Sequence, residues 1–201
     1  MSKGASTDPT SNHITDGETG LRDHFLLAMP ALRAGLFSHS ITYICDHTVD
    51  GAMGIVINQP LELSVREIFE HLQISVPGNA LDVPVMAGGP VQIGHGFVLH
   101  RNCEAPWEAS LKVTPEITLT TSRDILKSIA EGDGPGDYLI ALGYAGWSAG
   151  QLEKELAENS WLTLPADSDI IFSTPYHQRH SAAAAILGVD MNLISGQAGH
   201  A

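Results

Sequence analysis

Short apolar segments alternate with turn residues along the chain, and the period of each segment predicts its element. Phe25 to Met29 is a run of large side chains stopped by Pro30, which predicts a strand. Ser40 to His47, rich in β-branched and aromatic residues, predicts a second. Val49-Asp50-Gly51 reads as a turn from which Ala52 to Asn58 returns antiparallel, closing at Pro60. From Ser64 the period changes. Glu67 three residues on completes a capping box, and Val65, Ile68, Phe69 and Leu72 share one helical face. Val83 to Ala87, Gly96 to His100 and Leu111 to Thr120 predict further strands, separated by Gly88-Gly89-Pro90 and by a loop around Pro106. Thr121 or Ser122 caps a helix through Ala130, with Gly132 just past its end. Tyr138 to Leu142 is apolar enough for a buried strand, and Ser148 with Gln151 opens a helix through Asn159 that turns Leu152 and Leu156 inward. Trp161 to Leu164 and Ile170 to Ser173 predict short strands, and Pro175 opens a helix ending before Gly188. Strands mixed irregularly with about four helices predict an α+β fold rather than a regular βαβ winding.

Residues 1–20 hold Ser, Thr, Asp, Gly and Pro with Ile14 almost their only large apolar group, so they are expected to form a disordered leader. Residues 21–201 are expected to form a single domain, as the length of 201 suggests. The net charge of -13 repels nucleic acid and anionic lipid, and direct DNA or RNA binding is disfavoured. Cys45 lies in an apolar run and Cys103 in a polar loop, which fits a reduced, cytoplasmic setting. Asp16, Glu18 and Asp23 precede the Phe25 to Phe37 segment where an export signal needs positive charge, and no apolar run approaches the roughly 18 residues of a membrane span.

Several ordered fragments carry a family resemblance. Phe25 to Pro30, Gly51 to Pro60, Gly88 to Val91, Gly96 to His100, Thr120 to Asp124, Leu142 to Trp147, Gly150 to Glu153 and the closing Gly199-His200-Ala201 together resemble the AlgH/YqgE family of bacterial proteins. The resemblance implies a compact domain with a curved, mainly antiparallel sheet system and helices packed outside. It also implies a regulatory role, since members are described as transcriptional regulators through the control of alginate production. It carries no catalytic residue set to this chain.

Four features invite chemistry. Cys45 and His47 are two apart on a strand, so both side chains should leave one face, where an imidazole can activate a thiol. A buried Cys beside a strand-end His is the plainer alternative. His177 and His180 are spaced as two metal ligands, but nothing in the spacing supplies a third, and neither a metal nor another cofactor is expected. The stretch from Leu142 through Gly146 and Trp147 to Gly150 leads from a strand towards a helix and offers backbone amides to an anion, or else serves close packing. Ser122 and Arg123 start another helix, where they can hold an anion or else serve ordinary capping and a surface ion pair, and Gly88-Gly89 is a third turn where backbone can approach a ligand or else serves geometry alone. The sharpest expectation is that Gly88, Gly89, Ser122, Arg123, Gly146 and Trp147 converge on one cleft for a small anion.

Taken together, these features favour a non-enzymatic regulatory or adaptor protein whose partner is another protein or a small molecule. The alternative is an enzyme using Cys45 and His47, or a phosphate-handling cleft at the turns.

Overall fold

The computed structural model describes residues 20–30, 32, 35–75, 83–103 and 105–189. The expected leader, apart from Gly20, and the closing Gly199, His200 and Ala201 lie outside the described residues. In chain order the elements are β1 (His24–Ala28), β2 (Ile41–Thr48), β3 (Gly51–Val56), β4 (Pro60–Ser64), α1 (Val65–His71), β5 (Pro84–Ala87), β6 (Val91–Arg101), β7 (Ser110–Lys112), β8 (Ile117–Thr120), α2 (Arg123–Glu131), β9 (Tyr138–Ser148), α3 (Gln151–Ala157), β10 (Trp161–Pro165), α4 (Ser168–Phe172) and α5 (Tyr176–Ile186). The class is α+β. Strands run β10-β1-β2-β3-β9-β6-β8-β7 across a curved half-barrel, antiparallel throughout, while β5 joins β9 in parallel and also pairs with β4.

β9 is the spine. Its first half, Tyr138 to Leu142, pairs with β6, and Ala145 to Ser148 pairs with β3. This corrects the expectation of a turn after Leu142. Gly143 sits at φ 71°, and a Cβ there would lie 2.4 Å from the Gly89 carbonyl oxygen, so the glycine permits two backbones to touch without ending the strand.

Other boundaries also move. Ile170 to Ser173 falls in helix α4 and its C-cap, because Asp167 caps the segment by accepting the Asp169 amide at 2.8 Å. Leu111 to Thr120 is two strands, folded back where Thr114 Oγ1 accepts the Glu116 and Ile117 amides. Pro60 opens β4 instead of closing a hairpin. Gly150 is the N-cap of α3, and Gln151 reaches back to accept from the Ser148 amide and hydroxyl. The Ser64–Glu67 capping box is present, with the Ser64 amide donating to Glu67 Oε2 at 2.7 Å.

One sheet face carries a cluster built on Phe25, Tyr43, Ile55, Phe97, Leu139 and Ile171, closed by α4 and α5. Opposite it, α1 and α2 cover Val85, Val98 and Ile140, while α3 covers Ile44, Trp147 and Trp161.

Candidate functional site

β2 and β3 lose register between Ile44 and Asp46. A bulge of this kind shifts the alternation of side chains by one, so residues beyond it change face. Ile44 therefore packs with Trp147 and Leu152, Cys45 joins the opposite cluster, and His47 returns to the α3 side. The expected Cys45–His47 pair is not formed. The Leu21 amide donates to His47 Nδ1 at 2.8 Å, which leaves Nε2 to carry the proton and donate to Glu153 at 2.7 Å. Cys45 is wholly buried and donates weakly to the Tyr43 carbonyl. Burial, with Asp46 nearby, pushes its thiol well above the ordinary range, the opposite of what a nucleophile needs.

Of the expected anion-binding turns, Gly88-Gly89 and the stretch after Leu142 do meet, but as sheet backbone in contact rather than as a cleft. Gly88 and Gly89 are consumed by the sheet: the Gly88 amide donates to the Leu142 carbonyl, and a Cβ on Gly89 would lie 1.9 Å from the Tyr144 carbonyl carbon. Trp147 packs under α3, and its indole N–H donates to Glu155 at 2.9 Å, as does that of Trp161 at 2.8 Å. Gly146 is paired with Met53 within the sheet. Ser122 and Arg123 begin α2 elsewhere, against the Ile125 cluster. There the position an anion would take is filled by the chain itself, since the Asp124 carboxylate accepts from the Ser122 hydroxyl and from the Glu108 and Ile125 amides. Slight burial pushes this carboxyl up, but those bonds outweigh it and hold it below its usual range. Among the described residues no group of three or more His, Cys, Asp or Glu side chains could hold a metal.

The fold assembles a different site. Between β5, the start of β9 and the α4–α5 turn lies an open cavity of about 400 Å³. Its walls are largely apolar, with Val83, Met86, Leu139, Ile140 and Phe172 prominent. Arg179 of α5 forms part of the lining although only 8% of the residue is exposed. Its Nε–H donates to the Thr174 carbonyl at 3.0 Å and its Nη1 donates to the Ile57 carbonyl. It forms no ion pair with a carboxylate among the described residues. Burial lowers its pKa to about 10, so it still carries its charge at neutral pH. A buried, charged guanidinium with only carbonyl partners is costly, and an anion entering the cavity would offset that cost.

A second arginine shapes the wall. Arg101 donates to Asp137 at 3.0 Å, to Ser168 at 2.9 Å and to Asp169 at 2.7 Å, and its guanidinium carbon lies 5.3 Å from the Phe172 ring centroid. These contacts hold Phe172 in place and neutralise Asp137, the acidic side chain of the lining. Sequence reasoning missed both arginines. A lone Arg in the Ala-rich α5 carries no local signal of burial, and the fold alone supplies it.

Comparison with known proteins agrees with the architecture. A family model described as AlgH-like matches residues 25–192. The chain is 54% identical over 199 residues to a UPF0301 protein of Saccharophagus degradans, covering 98% of each, and 56% identical to one of Thioalkalivibrio sulfidiphilus, covering 89% of this chain and 96% of that one. The solution structure of the AlgH protein from Pseudomonas aeruginosa superposes with a TM-score of 0.74 at 44% identity, over 98% of this chain and all of that one. A crystal structure from Corynebacterium diphtheriae, 15% identical, shares the fold at a TM-score of 0.70 over 87% of this chain and 91% of that one. The sheet order, the matched span and these identities have one reading: this chain belongs to the AlgH-like, UPF0301 family.

Proposed function

We propose that this protein is a non-catalytic regulatory or adaptor protein whose state is set by a small anionic ligand held at Arg179. The observation that carries this reading is a buried guanidinium with no carboxylate partner among the described residues, facing a cavity of small-molecule size. Support also comes from His47, both of whose ring nitrogens are engaged, and from Cys45, whose thiol is buried. The net charge of -13 argues against nucleic acid as the partner. A ligand that neutralises Arg179 would tie α5 to β5 and β9, and partner proteins would read the tightened surface.

Thermal melting of the full chain with a panel of small carboxylates and phosphates tests the proposal. A ligand present at about one hundred times its Kd adds about 2.7 kcal/mol, a Tm rise of roughly 5–10 °C for a chain of this size. The expected result is such a rise for a subset of anions, reduced in Arg179→Lys, with the ligand recovered chemically unchanged. Conversion of the ligand, or a panel without any Arg179-dependent shift, contradicts the proposal.

A further inference from the structure

We infer that the ligand of the Arg179 cavity is a monocarboxylic acid with an unbranched or aromatic apolar body of medium length. The inference rests on the proposed function and narrows it to a chemical class. A guanidinium has five N–H donors in a planar fork. The Thr174 and Ile57 carbonyls engage Nε and Nη1, and Nη2 makes no hydrogen bond among the described residues, so the outer part of the fork remains for a carboxylate.

The charge of the wall limits the head group. Arg179 is the single cation among the side chains of the lining, and Asp137 is the single acid, already paired with Arg101. Asp169 stands beside Asp137 on the same arginine. With Asp137 and Asp169 both held by Arg101, the one positive charge of the lining that has no carboxylate partner suits a monoanion, whereas a phosphomonoester would bring close to a second negative charge with no second cation in the lining to receive it.

The rest of the lining sets the body. Half-exposed Val83 and partly exposed Phe172 offer aliphatic and aromatic surface, backed by the buried Val65, Met86, Leu139 and Ile140. At roughly 30 Å³ for each water-sized group, 400 Å³ admits on the order of a dozen non-hydrogen atoms. That is the size of an eight- to ten-carbon fatty acid or a small aryl-alkanoic acid. Ser173 and Thr174 at the rim leave the entrance polar.

Calorimetric titration of the full chain with acetate, butyrate, octanoate, decanoate and decyl phosphate decides the matter. Affinity is expected to rise with length by up to roughly fourfold per added methylene. Decanoate should bind more tightly than decyl phosphate, and Arg179→Lys should weaken decanoate by about tenfold or more. Because Arg179 also ties the α4–α5 turn to β3, a second variant leaves it intact: Val83→Trp, at the half-exposed rim, should obstruct octanoate and decanoate without altering the fold. Decyl phosphate binding more tightly than decanoate, with loss in Val83→Trp, would overturn the monocarboxylate assignment while leaving the proposed anion site standing. Equal affinities along the length series would overturn the apolar body. No binding of any of these compounds, or binding indifferent to both variants, would overturn the inference; if the broader anion panel also leaves the melting temperature unmoved, the proposed function goes with it.

Discussion

At the scale of single residues, the two cysteines differ sharply. Cys103 is exposed and Cys45 wholly buried with a raised thiol pKa, so iodoacetamide should alkylate Cys103 in the native protein and Cys45 only after denaturation. Peptide mass mapping reads this directly, and rapid native labelling of Cys45 would contradict its placement. Glu155 offers a test by pH. Burial alone would raise its carboxyl, but bonds from Trp161, Gln151 and Trp147 outweigh that and hold it below its usual range. A carboxyl depressed on folding stabilises above its unfolded pKa of about 4.3, and that contribution is lost as pH falls through the lower folded value. Glu155→Gln should therefore cost roughly 1–2 kcal/mol at neutral pH, allowing for solvent screening, and the difference between the two proteins should shrink at acid pH. Urea unfolding at several pH values measures both.

At the scale of elements, the contact between Gly88-Gly89 and β9 holds two pieces of sheet together. Gly89→Ala drives a Cβ into the Tyr144 backbone, which cannot yield as a side-chain tip would, and should destabilise by on the order of 3–5 kcal/mol. Gly96→Ala, with open space around the new methyl, should lie within about 0.5 kcal/mol of wild type. Denaturant titration distinguishes these outcomes, and equal costs would contradict the described packing. The same turn shows what was legible in advance. Ser64 and Glu67 state their cap locally, and Phe25 to Met29 states its strand, so these features appear where the sequence places them. Gly143 and Gly146 punctuate β9 locally but are overruled by pairing with residues about 50 to 90 positions earlier. Ile170 to Ser173 is too short for its period to separate helix from strand, although Asp167 carried a usable capping signal. The bulge after Ile44 escaped because nothing in the local pattern announces it, and with it went the Cys45–His47 pairing.

At the scale of the whole molecule, the fold's contribution is to bury a charge. Ile57, just past β3, is remote in sequence from Thr174 after α4 and Arg179 within α5, and only the half-barrel joins them beside the wall from β5 and β9. The sequence reading allowed a small anion for this protein but placed it on glycine turns and on Arg123; the cavity at Arg179 sets a buried cation beside apolar surface, a combination those turns lack. The most direct measurement is an NMR titration of the ¹⁵N-labelled full chain with decanoate, following the Arg179 Nε–H and the amides of Val83, Leu139, Phe172 and Thr174. The account predicts saturable shifts at these positions, absent in Val83→Trp. Shifts confined to Arg123, Gly146 and Trp147, or no saturable shift at Arg179, would contradict it.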